Sequence, residues 1–136
     1  MFDETKANRA IRFIENLKHT KSPFQEQPFK LLDWQRPIIS DVYGTVDRHG
    51  TRQYRYVYLE IPKKNGKSEL VAALALYHLF ADHEVNGQVY GCAGDKEQAT
   101  LVFDVAVEMI EYIPALKKRA KLNLSTKMIS ARRSMR

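Results

Sequence analysis

Tyr54-Arg55-Tyr56-Val57-Tyr58-Leu59 leads through Glu60-Ile61-Pro62-Lys63-Lys64-Asn65-Gly66-Lys67-Ser68 into an alanine- and leucine-rich stretch that ends at Phe80. The opening segment is rich in aromatic and β-branched residues (Tyr54, Tyr56, Val57, Tyr58), which predicts a strand buried for much of its length. From Ser68 to Phe80, Leu70, Val71, Leu74, Tyr77 and Leu79 alternate with alanines. That composition predicts a helix apolar around most of its circumference, of the kind that packs on a sheet. Gly66-Lys67-Ser68 falls at the junction between the two.

A strand–loop–helix junction with those three residues has a specific chemistry. Backbone N–H groups at a helix N-terminus are unpaired and carry the positive end of the helix dipole. Gly66 lets the backbone approach a phosphate, Lys67 reaches the β- and γ-phosphates, and the Ser68 hydroxyl is a ligand for Mg²⁺. The full pattern G-x-x-x-x-G-K-[ST] requires glycine at 61, where this chain has Ile61, so the loop is a variant. Gly-Lys-Ser alone also fits a lysine-bearing turn ahead of a surface helix. The strand before it and the helix after it favour the phosphate loop.

A chain of 136 residues suits one domain or a piece of a larger one. The longest apolar run, Leu70 to Phe80, is interrupted by His78 and is too short to span a bilayer. The N-terminus carries no basic-then-apolar leader pattern, so a cytoplasmic location without membrane attachment is expected. A lone cysteine, Cys92, leaves no internal disulfide and no cysteine-based metal site, and His19, His49, His78 and His83 lack ligand spacing. The only metal expected is the Mg²⁺ that accompanies a nucleotide.

The net charge of +6 is unevenly placed. From Tyr112 onward Lys117, Lys118, Arg119, Lys121, Lys127, Arg132, Arg133 and Arg136 face no Asp or Glu in sequence. Such a segment fits contact with a polyanion, and equally a solvated end or a segment that meets acidic residues elsewhere.

Along the chain, Ala7, Ala10, Ile11, Phe13, Ile14 and Leu17 have helical spacing, and Asp3 is placed to cap that helix. Lys18 to Gln27 is a polar connector. Asp33 is placed to cap a helix starting at Trp34, with Pro37 tolerable only in its first turn. Gly44 to Arg52 is a turn or hairpin tip. Gln88 to Ala93 predicts a second short strand, Gly94-Asp95 opens a helix from Lys96 to Ile113, and Pro114 closes it. Lys121 to Ile129 has room for one more strand. The order strand, helix, strand, helix predicts an α/β fold: a three-layer αβα P-loop arrangement on a parallel sheet, incomplete on its C-terminal side. Ligands in such sheets lie at the carboxyl ends of the strands, where the loops at 61–68 and 93–95 would fall. The expected divisions are a helical region over 1–53, a βαβα core over 54–113 and a basic segment over 114–136.

Several of these residues, taken together, resemble a family. Arg12-Phe13-Ile14-Glu15-Asn16-Leu17, Pro28-Phe29-x-Leu31-x-Asp33-Trp34-Gln35, Leu59-Glu60-Ile61-Pro62-x-Lys64-Asn65-Gly66-Lys67-Ser68 and the Ala93–Phe103 segment with Gln98-Ala99 resemble the large subunit of tailed-bacteriophage terminase. The resemblance runs from about Arg9 to about Ile113 and rests on the order and spacing of the motifs. It implies an ATP-driven DNA-packaging motor in the bacterial cytoplasm. The partners would be double-stranded DNA, a terminase small subunit, a portal and further copies in a ring. It also implies that Trp34 lies against the adenine and that Gln35 reads the base. Pro62, Lys63, Lys64, Asn65, Gly66, Lys67 and Ser68 would hold the phosphates, with Lys63 and Lys67 as the catalytic cations. The segment near Gln98 would link nucleotide state to DNA.

Two departures qualify the resemblance. Family members usually carry arginine where this chain has Lys63, and lysine lacks the planar fork that braces a phosphate at two points. Hydrolysis also needs a carboxylate on a neighbouring strand, and no apolar run ending in Asp follows Cys92. The chain is therefore expected to correspond to the front of a terminase ATPase domain, without the nuclease domain, and to bind nucleotide without turning it over. Another P-loop ATPase, helicase-like or a small kinase, is the nearest alternative within the same fold. A non-catalytic assembly or DNA-binding module is the alternative outside it.

Overall fold

The structure, a computed structural model, describes residues 1–20, 26–61, 67–81, 88–125 and 127–131. Among these the elements are α1 (Glu4–Glu15), α2 (Gln35–Gly44), α3 (Lys67–Phe80), α4 (Lys96–Glu111), α5 (Pro114–Arg119), β1 (Ala120–Asn123) and β2 (Met128–Ala131).

Helix α1 starts where its sequence allows. Asp3 is extended and its side chain accepts from the Lys6 amide, satisfying one of the first-turn donors. Ala7, Ala10, Ile11 and Ile14 then form the buried stripe. α4 repeats the device: Asp95 is extended and accepts from Gln98 N at 2.9 Å. Pro114 opens α5 at its first position, where a missing N–H costs nothing.

The expected cap at Asp33 is not made. α2 begins at Gln35, and the cap position, Trp34, is in helical conformation with no side-chain cap bond. Gln35 instead reaches back to the turn before the helix: its Oε1 accepts from Leu32 N at 3.0 Å, while its own N–H donates to Leu32 O at 2.9 Å. Pro37 sits in the first turn, as its ring requires.

α1 and α2 pack closely. A Cβ added at Gly44 would lie 2.5 Å from the Phe2 ring and 2.8 Å from Ala7 Cβ, and Gly44 O accepts from Asp3 N at 2.7 Å. The hairpin tip that follows is closed by a bridge between Val46 and Arg52, by Asp47 accepting from the amides of His49 and Thr51, and by Gly50 at φ 77.

α3 lies between α1 and α4, and its buried residues include Leu70, Ala72, Ala73, Leu76 and Tyr77. Its environment is thus mostly helical, not the sheet expected for it. Met109 and Ile110 of α4, Ile14 of α1 and Ile39 of α2 join the same core cluster. At the far end of α3, Arg119 donates to Phe80 O at 3.2 Å and lies over the Phe80 ring.

The expected strands at 54–59 and 88–93 are not formed. The sheet among the described residues is the antiparallel β1–β2 hairpin, paired from Ala120↔Ala131 to Asn123↔Met128. The expected parallel pairing is not found among the described residues. The 54–59 segment runs along a cleft between α2 and α3. Val57 (55% exposed) and Leu59 (37%) turn toward the cleft, whereas Tyr56 (93%) and Tyr58 (88%) face solvent. Gln88 to Ala93 is exposed throughout, Cys92 included. The physical reason is that a strand takes its hydrogen bonds from neighbours, and neither segment has a ladder partner among the described residues.

Candidate nucleotide site

Of the residues expected at the phosphate loop, Pro62, Lys63, Lys64, Asn65 and Gly66 lie outside the described residues. Lys67 and Ser68 are described. They form the first turn of α3, a 14-residue helix, with Lys67 exposed and Ser68 half-buried. The first turn of a helix has amides without an intrahelical partner and carries the positive end of the dipole, and those two side chains stand there.

At the residues expected to meet the adenine, Trp34 is exposed at the start of α2. Gln35 is buried. Its Oε1 accepts from Leu32 N and has a second lone pair, and no acceptor meets its amide nitrogen among the described residues. A side chain anchored in this way keeps spare bonding capacity, a second lone pair on Oε1 and the N–H groups of its amide. Leu31, just before α2, and Leu70, in the first turn of α3, belong to one core cluster, so both helix starts are held by the same packing.

A cleft of about 720 Å³ lies elsewhere, floored by Ile38, Val42, Leu70 and Leu74 and flanked by Val57 and Leu59. None of Trp34, Gln35, Lys67 or Ser68 lines it. It is the apolar flank of α2 and α3 that a sheet laid over residues 54–59 would cover. Its size therefore reflects an uncovered helix face more than a nucleotide pocket.

The residue that sequence reasoning missed is Glu69, immediately after Ser68. It is 7% exposed, and both carboxylate oxygens are engaged. Oε1 accepts from Thr20 N at 2.9 Å and from Thr20 Oγ1 at 2.8 Å, and Oε2 accepts from His19 Nδ1 at 2.7 Å. Burial pushes the carboxyl up, but the hydrogen bonds from His19 and Thr20 and the charge of His19 outweigh it, leaving Glu69 below its ordinary value. A signal was present in the sequence: Glu69 stands in register with Ala73, Leu76 and Phe80, an acid at the head of an otherwise buried stripe.

The other acids near these loops are exposed or used locally. Asp41 accepts from Thr45 Oγ1, Asp95 caps α4, and Glu60 is exposed. Among the described residues no group of three His, Cys, Asp or Glu is placed to hold a metal ion, and no helix is long and apolar enough to cross a membrane.

Comparison with known proteins bears on this arrangement. The family model described as the terminase large subunit, ATPase domain, matches residues 33–135. The chain is 33% identical over 127 residues to the large terminase subunit of Enterobacteria phage HK97, an alignment covering 92% of this chain and 24% of that protein. The crystal structure of the HK97 bacteriophage large terminase matches at a TM-score of 0.77 and 31% identity, over 97% of this chain and 26% of that one. The chain thus spans about a quarter of the length of these relatives.

Proposed function

The chain belongs to the terminase large-subunit ATPase family, and from that premise we propose that it carries the ATP-binding front of a phage DNA-packaging motor. The observation that supports this most directly is the position of Lys67 and Ser68 in the first turn of α3. The residues present fit Mg²⁺-ATP: an exposed lysine and a hydroxyl at a helix N-terminus, and an exposed indole beside a carboxamide with spare bonding capacity.

In this reading the 62–68 loop is a variant Walker A loop. Gly66 gives the backbone its close approach, and Pro62, Lys64 and Asn65 shape the loop. Lys67 and Lys63 supply positive charge to the phosphates, Ser68 is the protein's ligand to Mg²⁺, Trp34 stacks on the adenine and Gln35 reads its edge. Bound Mg²⁺ neutralises phosphate charge. Segments 54–59 and 88–93 act as strands of the parallel three-layer sheet when the motor is assembled, which supports the division at residues 53 and 113. Double-stranded DNA, the small subunit, the portal and neighbouring copies in a ring are the partners, met in the host cytoplasm.

Binding and turnover separate in this chain. In-line attack on the γ-phosphate also needs a carboxylate at the metal and a cation from a neighbouring subunit. No acid follows the 88–93 segment before Asp95, which is committed to capping α4. Calorimetry with Mg²⁺-ADP and Mg²⁺-ATP tests the proposal. Binding is expected in the wild type and lost in Lys67→Ala, with no steady-state phosphate release from either protein. Equal affinity in the two proteins would refute the phosphate-loop assignment.

A further inference from the structure

A buried carboxylate is costly unless its oxygens are hydrogen-bonded. Among the described residues, Glu69 meets that condition with donors from residues 19 and 20, far from α3 in sequence. The bonds also settle where the charge points. A carboxylate next to Ser68 would repel phosphate if it turned toward the loop, and three donors hold it to the 19–20 limb instead.

That limb is itself tied to the start of α2. The His19 ring stacks on Phe29 with centroids 4.6 Å apart, and His19 N donates to Gln27 O at 2.9 Å. Phe29 N donates to Leu17 O at 2.7 Å. Glu15 Oε2 then accepts from both Leu31 N, at 3.3 Å, and Arg36 Nη2, at 2.7 Å. Leu32 N ends the series on Gln35 Oε1. Hydrogen bonds, one ring stack and short stretches of chain between them thus join the first turn of α3 to Gln35. Apolar packing alone tolerates small rotations of a helix, whereas directed hydrogen bonds fix its rotation and its height.

We propose that Glu69 is a positioning residue that clamps the first turn of α3 to His19 and Thr20, fixing the spacing between the base-reading Trp34-Gln35 pair and the phosphate-holding Lys67-Ser68 pair. This rests on the nucleotide reading above. A ligand that touches both pairs needs that spacing, and a ligand that touches only the phosphate side does not.

The test compares Mg²⁺-ADP with Mg²⁺-tripolyphosphate, which lacks base and ribose, by calorimetry on the full chain. Misplacement of a binding group by a fraction of an ångström to one ångström is expected to weaken ADP about tenfold in Glu69→Ala and tripolyphosphate only about twofold. Glu69→Gln keeps an oxygen for Thr20 and a carboxamide group opposite His19 Nδ1. It should restore the ratio of the two affinities to within about threefold of wild type. Thr20→Val removes one donor with little change of shape. It should lower the same ratio by a smaller factor, and it decides the matter if Glu69→Ala does not fold. Equal loss for both ligands, or loss for neither, in a folded variant overturns the clamp. Failure of the wild type to bind either ligand overturns the nucleotide reading, and the clamp with it.

Discussion

Leu70, Leu76, Met109 and Ile110 are each 2% exposed or less, whereas Tyr56, Tyr58 and Tyr90 are 78% exposed or more. Both sets sit in strongly apolar segments, so hydrophobicity alone does not separate them. A helix closes its hydrogen bonds within itself and needs only one face covered. An extended segment must take its donors and acceptors from a neighbour before it can be buried without penalty. The helical layer therefore stands on its own contacts, while 54–59 and 88–93 leave these apolar side chains exposed, with no ladder partner among the described residues.

The largest effect expected on that contrast comes from opening the helical core. Met109→Ala should lower the unfolding free energy by about 2–5 kcal/mol, read from urea denaturation. A loss under about 1 kcal/mol would mean that the α3–α4 contact is not a true core.

A smaller effect, confined to acid pH, separates buried charge from buried carbon. The folded pKa of Glu69 lies below its ordinary 4.5. Its ionised form therefore contributes stability that is fully present above pH 4.5 and is lost as pH falls through the folded value. Melting temperature should fall more steeply below pH 4.5 in wild type than in Glu69→Gln, and parallel curves would remove the carboxylate from the stability argument.

The smallest effect belongs to the exposed segment. Tyr56→Ser and Tyr58→Ser should each change stability by less than about 0.5 kcal/mol. Losses comparable to that of Met109→Ala would show that the segment is packed in solution and would erase the distinction.

What the sequence made legible follows the same division. The periodicity at Ala7, Ala10, Ile11 and Ile14 and the caps at Asp3 and Asp95 are local signals, and the helices formed where those residues put them. Pro114 marked a boundary for the same reason, since a missing N–H acts within its own turn. Asp33 had the right chemistry to cap α2, yet Gln35 turned inward and supplied the contact to Leu32, a choice made by burial. The strands at 54–59 and 88–93 were read from side-chain preference, which reports fitness for a sheet and not the presence of a neighbour. Lys67 and Ser68 stand at the helix start where the motif put them. For Glu69 the register with Ala73, Leu76 and Phe80 marked burial, but its partners, His19 and Thr20, come from a connector whose polar composition gave no hint of a distant contact.

Cys92 lies in the exposed 88–93 segment and is the chain's single thiol. Its alkylation rate is therefore a clock for one place on the surface. An uncovered thiol reacts with maleimide about as fast as access and its thiolate fraction allow, and burial slows it. The protein carries, without any added label, a chemical reporter of whether that segment is open or covered.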